Sequence, residues 1–170
     1  MKTLKTLLFA LAATAFFTSC SSDDDSNDNN GPDIEGTYNL VSVDIAEEVD
    51  FNQDGTASSN LMMESFCYEG SFITLNEDKT FTFAINFVDF TAQTGCNTEE
   101  GEGTWEASDS ALTLTNTIME VPNELIFAIS DENTVTLTTT LSNSPYPDRD
   151  ENGNPIYTTG SVQLTFNKVN

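Results

Sequence analysis

Thr80-Phe81-Thr82-Phe83-Ala84-Ile85-Asn86-Phe87-Val88-Asp89-Phe90 decides the fold of this chain. Phe81, Phe83, Ile85 and Phe87 fall on one side of an extended segment, and Thr80, Thr82, Ala84 and Asn86 on the other. Such a period of two belongs to a strand with one buried face, because successive side chains point to opposite faces of a sheet. The segment is framed by turn chemistry. Asn76-Glu77-Asp78-Lys79 precedes it as a hairpin turn, and the polar loop at 93–100, with Cys96, follows.

The same rhythm recurs on both sides, and helical periodicity is nearly absent. Thr, Val, Ile and Phe dominate, with Gly, Asn and Asp at short intervals, which reads as all-β. Strands are predicted at 35–46, 70–75, 80–90, 101–107, 111–118, 124–129, 134–141 and 157–168. In the first, the apolar face shifts from Tyr38 and Leu40 to Val41, Val43 and Ile45, so a bulge is expected near Leu40. Short turns join most of them, such as those at 108–110 and 131–133, while two connections are long and polar: 47–63 and 142–155. Leu61, Met62 and Met63 are expected to form a short helical turn or to cover one mouth. Eight antiparallel strands in this order predict an up-and-down meander closed into a barrel, since closure removes exposed edges. A two-sheet sandwich is the alternative.

The N-terminus reads differently. Lys2 and Lys5 precede an apolar run from Leu7 to Phe17, which is too short to span a bilayer as a helix and fits a signal peptide. With Ser19 before Cys20, the segment resembles a lipoprotein signal, and the resemblance implies cleavage after residue 19 and lipid attachment at Cys20. An ordinary secretory signal followed by an incidental cysteine is the plainer reading. The next residues, Ser21-Ser22-Asp23-Asp24-Asp25, are similar to the acidic export tag of Bacteroidota-type surface lipoproteins. That likeness implies an outer-membrane, lipid-anchored protein exposed at the cell surface; a solvated spacer is the alternative. Residues 21–33 carry no apolar side chain able to join a core, so 20–33 is expected to be a disordered acidic tether and 34–170 one domain.

Cleavage would leave three cations, Lys79, Arg149 and Lys168, against 28 acids, a net charge of −25. Such a chain repels phosphate backbones, which argues against nucleic acid and polyanionic glycans and favours cationic partners and divalent ions. With Cys20 used for lipid, Cys67 and Cys96 remain. In an exported setting this even remainder reads as one disulfide, with two buried free thiols as the alternative.

Gly36-Thr37-Tyr38 opens the first strand, Gly103-Thr104-Trp105 the fourth, and Leu112-Thr113-Leu114 follows. The chain closes on Val162-Gln163-Leu164-Thr165-Phe166-Asn167-Lys168. Together these resemble the lipocalin-like domain of Bacteroidota-type lipoproteins over most of 34–170, with Tyr38 where lipocalins proper carry Trp. The resemblance implies a barrel with an interior able to hold a ligand.

Candidate chemistry is sparse. The chain has no histidine, which removes Ser-His-Asp and Cys-His catalysis and His-based zinc or iron sites. No phosphate-binding glycine loop is present, and no catalysis is expected. Asp50, Asn52 and Asp54, with Gly55 after them, match the first half of a calcium loop, but Leu61 stands where the closing carboxylate belongs. Asp148-Arg149-Asp150-Glu151-Asn152-Gly153 is a second version, with Thr159 at the closing place. Asp, Asn and Gly are equally the ordinary residues of tight turns, so calcium is the sole cofactor in view. The inward aromatic residues Tyr38, Phe83, Phe87, Trp105 and Phe127 either pack a solid core or line a pocket for an apolar ligand. The leading expectation is a monomeric binder of a small hydrophobic ligand. The competing readings are a surface interaction module working through its long loops, with calcium as a brace, and an inhibitor of a cationic enzyme.

Overall fold

The computed structural model describes residues 33–118, 121–130 and 136–169. The signal segment, Cys20, the tether up to residue 32 and the turn at 131–133 lie outside them. Among the described residues there is no α-helix. The strands are β1 (Gly36–Val49), β2 (Ser58–Asn60), β3 (Phe72–Leu75), β4 (Thr80–Val88), β5 (Cys96–Ala107), β6 (Ala111–Ile118), β7 (Val121–Ser130), β8 (Thr136–Arg149) and β9 (Pro155–Lys168).

All pair antiparallel in the order β2-β1-β3-β4-β5-β6-β7-β8-β9, and β1 also pairs with β9. Eight strands therefore close into a barrel, with the short β2 on the edge of β1 opposite β9, beyond the stretch that β3 covers. Closure runs from Tyr38↔Lys168 to Ile45↔Val162, with the register shift between Leu40 and Ser42 that the sequence anticipates. The shift lets Leu40, Val43 and Ile45 all stay buried along one strand.

One end of the barrel is plugged. Tyr38, Phe166, Leu112 and Leu137 have no exposed surface there, and Phe127 meets Phe166 edge-on at 6.0 Å. The Tyr38 hydroxyl donates to the Ile34 carbonyl at 2.6 Å, and the Trp105 indole N–H to the Asn76 carbonyl at 3.1 Å. Each buried aromatic thus places its polar atom on a main-chain oxygen, which avoids the cost of an unpaired donor. Lys79 sits 3.7 Å over the Trp105 ring and pairs with Glu35. Lys168 donates to the Asp33 carbonyl at 2.7 Å.

Two stretches that read as loop in the sequence are paired strand, and for different reasons. β5 begins at Cys96 and follows β4 along its whole length, from Thr80↔Thr104 to Val88↔Cys96. Its acidic first half reads as a loop because it has little apolar surface to alternate. β8 and β9 pair on to Arg149↔Pro155, where a loop at 142–155 was expected. Pro145 and Pro147 mask this stretch. Being two apart they share one edge of β8, and β7 makes no ladder there, since β7–β8 pairing spans only Ala128↔Thr138 to Ser130↔Thr136. A missing N–H on an unpaired edge leaves no ladder bond unmade.

β3 is short and covers only Gly36–Asn39 of β1. The connection at 50–71 fills the wall above it. Leu61 is buried, a 3-10 turn follows at Phe66–Tyr68, and Ser71 links three strands by accepting from the Asn86 N–H while its own carbonyl accepts from Leu40 N–H. Cys67 and Cys96 are disulfide-bonded, with Cα atoms 5.3 Å apart, so this patch is tied to the first residue of β5.

Candidate ligand cavity

The barrel interior is solid at the plugged end and hollow above it. A cavity of about 220 Å³ is lined by residues from every barrel strand except β1. Its floor and walls are Phe81, Phe83, Ile85, Leu114, Leu125 and Phe127, with Ile73, Leu141, Leu164 and Phe166 closing the far side. Three polar residues complete it: Glu99, Asn116 and Asn123.

The polar residues mark the mouth, and the ladder explains why. β5 and β6 pair only from Thr104↔Thr115 to Ala107↔Leu112. Beyond Thr104, β5 keeps to β4, and beyond Thr115, β6 keeps to β7, with Asn116 directly across from Asn123. The two hairpins diverge, so the inward positions near their tips face water. Glu99 shares the inward parity of Trp105 yet is exposed. Asn116 is partly buried, and its Oδ1 has no hydrogen-bond partner among the described residues.

Two glycines make room inside. Gly101 and Gly103 share the inward parity of Trp105, opposite Phe83 and Phe81. A Cβ on Gly101 would stand 2.5 Å from the Phe83 ring, and one on Gly103 would stand 2.2 Å from the Thr115 carbonyl. Their bare faces let Phe81 and Phe83 lie across β5, stacked 6.2 Å apart at 14°.

Of the aromatic residues expected in a pocket, Phe83 and Phe127 line this cavity. Tyr38 and Trp105 do not: both are spent on the plug, buried with their polar atoms bonded to main chain. Phe87 packs against the core near the rim without lining the cavity. Asn116 and Asn123 are not singled out by the sequence, and Glu99 reads there as one of a run of carboxylates at the end of the polar loop at 93–100. The signal was there, in the inward series Leu112, Leu114, Asn116 and Phe127, Leu125, Asn123, which each run from apolar to amide toward a turn.

The two Asp-Asn-Gly loops meet at the open end. Asp50, Asn52 and Asp54 each put an oxygen on the turn itself: Asp50 Oδ2 accepts from Gly55 N–H, Asn52 Oδ1 from Asp54 N–H and Asp54 Oδ1 from Thr56 N–H, while Asp50 Oδ1 is buried with no hydrogen-bond partner among the described residues. Asp150 accepts likewise from Asn152 and Asn154. Arg149 bridges them, donating to the Phe51 carbonyl at 2.7 Å and the Gly153 carbonyl at 2.8 Å, with its guanidinium 5.0 Å from the Phe51 ring. Arg149 thus places one of the chain's own cations between these loops. Among the described residues no three His, Cys, Asp or Glu side chains are grouped to hold a metal. The buried ring of Tyr146 lies nearby, and burial, with Glu47 and Asp148, pushes its hydroxyl above the usual phenol range.

No protein-family model matches the chain, and no curated protein matches it. No described helix is long and apolar enough to cross a membrane.

Proposed function

We propose that this chain is a lipid-anchored, exported, non-catalytic binding protein that takes a small hydrophobic ligand into its barrel. The observation that carries the reading is the cavity: about 220 Å³, apolar on its walls, polar only at its mouth. That is the arrangement of small-molecule sites, where apolar walls supply affinity and a few polar groups fix orientation. Its volume lies between that of an apolar cavity that takes benzene, about 150 Å³, and the range of roughly 300–1,000 Å³ for drug-sized ligands. The ligand is therefore small, one ring or a short chain. The anchor rests on Cys20 following an apolar run that ends at Phe17. Native mass spectrometry of the purified chain, with and without a chelator, tests the binding. A co-purified organic mass supports it, and stoichiometric calcium supports loop bracing instead. Cys20→Ala releases the chain from membranes; persistence in the membrane fraction contradicts the anchor.

A second reading has its own observation. On the disulfide-tied patch, Met63 and Phe66 are 71% and 72% exposed, and Ile156 and Tyr157 are exposed on the β8–β9 hairpin. Apolar tips of this kind suit a protein-binding module. A surface carrying −25 directs either reading toward cationic rather than anionic partners, a cationic enzyme included.

A further inference from the structure

We infer that the ligand of the barrel is a small amphipathic amine, its apolar body between the Phe83 and Phe127 walls and its ammonium at the Glu99–Asn116 rim. This deepens the reading of the cavity as the binding site and rests on it.

The argument starts from what the mouth offers. Every polar side chain lining the cavity is a carboxylate or an amide: Glu99, Asn116 and Asn123. The three cations of residues 20–170 are all engaged elsewhere. Lys79 is held at Glu35 and Trp105, Lys168 at Asp33, and Arg149 between the two long loops. A carboxylate or phosphate entering this mouth would lose water and meet Glu99 without a compensating charge, which is costly. An ammonium is repaid instead. Glu99 offers an ion-pair partner at an exposed position, and Asn116 brings an acceptor oxygen, buried and unpaired, that a rotation of its side chain turns to an incoming donor. The long-range field acts in the same direction, since a strongly acidic surface concentrates cations at its openings.

Size completes the class. A phenyl ring occupies a cavity of about 150 Å³, so the remaining space accommodates a two-carbon arm, which carries the charged group out to the rim.

The test uses three probes of one shape: 2-phenylethylamine, 2-phenylethanol and 3-phenylpropanoate. Each is titrated into the purified full chain at about 0.15 M salt, where charges farther than about 8 Å are screened, and followed by calorimetry or ligand-observed NMR. The amine is expected to bind roughly tenfold more tightly than the carboxylate, as a charge-assisted hydrogen bond provides, with the alcohol between. Glu99→Gln should weaken the amine several-fold and leave the alcohol unchanged. Asn116→Leu should weaken amine and alcohol together. Glu99 is exposed, so its variant reads the proposal even where Asn116→Leu fails to fold. Carboxylate binding equal to or tighter than amine binding overturns the ligand class and leaves the cavity standing as a site. An amine preference untouched by Glu99→Gln also overturns it, because the preference then belongs to net charge. If none of the three binds, the cavity reading falls as well.

Discussion

Asp78, Asp89 and Asp150 each hold a turn, and each is held in its charged form by it. The Thr80 hydroxyl donates to Asp78, the Thr91 hydroxyl to Asp89, and the Asn154 amide to Asp150, with main-chain N–H groups adding to each. All three carboxyls sit below the usual carboxylate range for that reason. A folded pKa below the unfolded one stabilises the fold above the ordinary Asp value near 4, and that contribution is lost as pH falls through the lower folded value. The triple variant Asp78→Asn, Asp89→Asn, Asp150→Asn keeps an acceptor at each turn but does not titrate. Thermal unfolding followed from about pH 5 to 2 should fall more steeply for the native chain than for the variant. Parallel curves would show that the turns do not depend on the charge. Arg149 is the other residue on which local order turns. Arg149→Lys keeps the charge but loses the fork that spans Phe51 and Gly153. It should cost about 1–2 kcal/mol and speed amide exchange at 50–55 and 150–154, while β3 to β6 stay protected. Unchanged exchange in the two loops would refute the bridge.

At the scale of elements, β5 shows both what the sequence discloses and what it hides. Its second half, with Trp105 inward, is legible from alternation. Its first half is not, because Thr98, Glu99 and Glu100 read as solvated loop, and the next inward residues, Gly101 and Gly103, are glycines. Alternation identifies a strand by what it buries; a strand that faces a cavity rim on one side and water on the other buries little. The same blindness hides the β8–β9 extension, where Pro145, Pro147 and Pro155 punctuate a ladder that resumes after a register shift at Leu141/Ser144 and runs unbroken from Ser144↔Gly160 to Arg149↔Pro155. In the core, by contrast, the Phe81 series, the bulge at Leu40 and the Leu112–Leu114 pair are all readable, because burial imposes the period. Two variants separate the roles of the inward glycines. Gly103→Ala places a methyl against the Thr115 carbonyl, which is main chain and cannot step aside. It should destabilise by about 1–3 kcal/mol, the usual cost of overpacking. Gly101→Ala meets only the Phe83 ring, which can swing into the cavity. That variant should unfold close to the native temperature and lose affinity for small apolar ligands. Equal stability loss in both would mean that the ring is as fixed as the carbonyl.

The whole molecule combines a barrel closed by β1 against β9 with a wall that is not strand all the way round. Above β3, the wall is the patch at 50–71, pinned at Cys67 to the start of β5 at Cys96, 29 residues on. The cysteine count made this bond legible; its mechanical place was not, since sequence does not reveal that β3 ends after four residues. Cross-linking a loop of that length constrains the unfolded chain by about 3–4 kcal/mol on the entropy model. That is a large share of the stability of a single domain, about 5–15 kcal/mol. Reduction, or Cys67→Ser with Cys96→Ser, should therefore lower the unfolding temperature by roughly 10 °C. The loss should also have a direction in space. Leu61 packs on the core independently of the bond, but Phe66–Tyr68 would be free to lift from β5. Amide exchange should rise first at 61–70 and 88–98, and only later in β6, β7 and β9. Uniform acceleration across all strands would show instead that the patch and barrel unfold as one unit, with the disulfide acting through the unfolded chain alone.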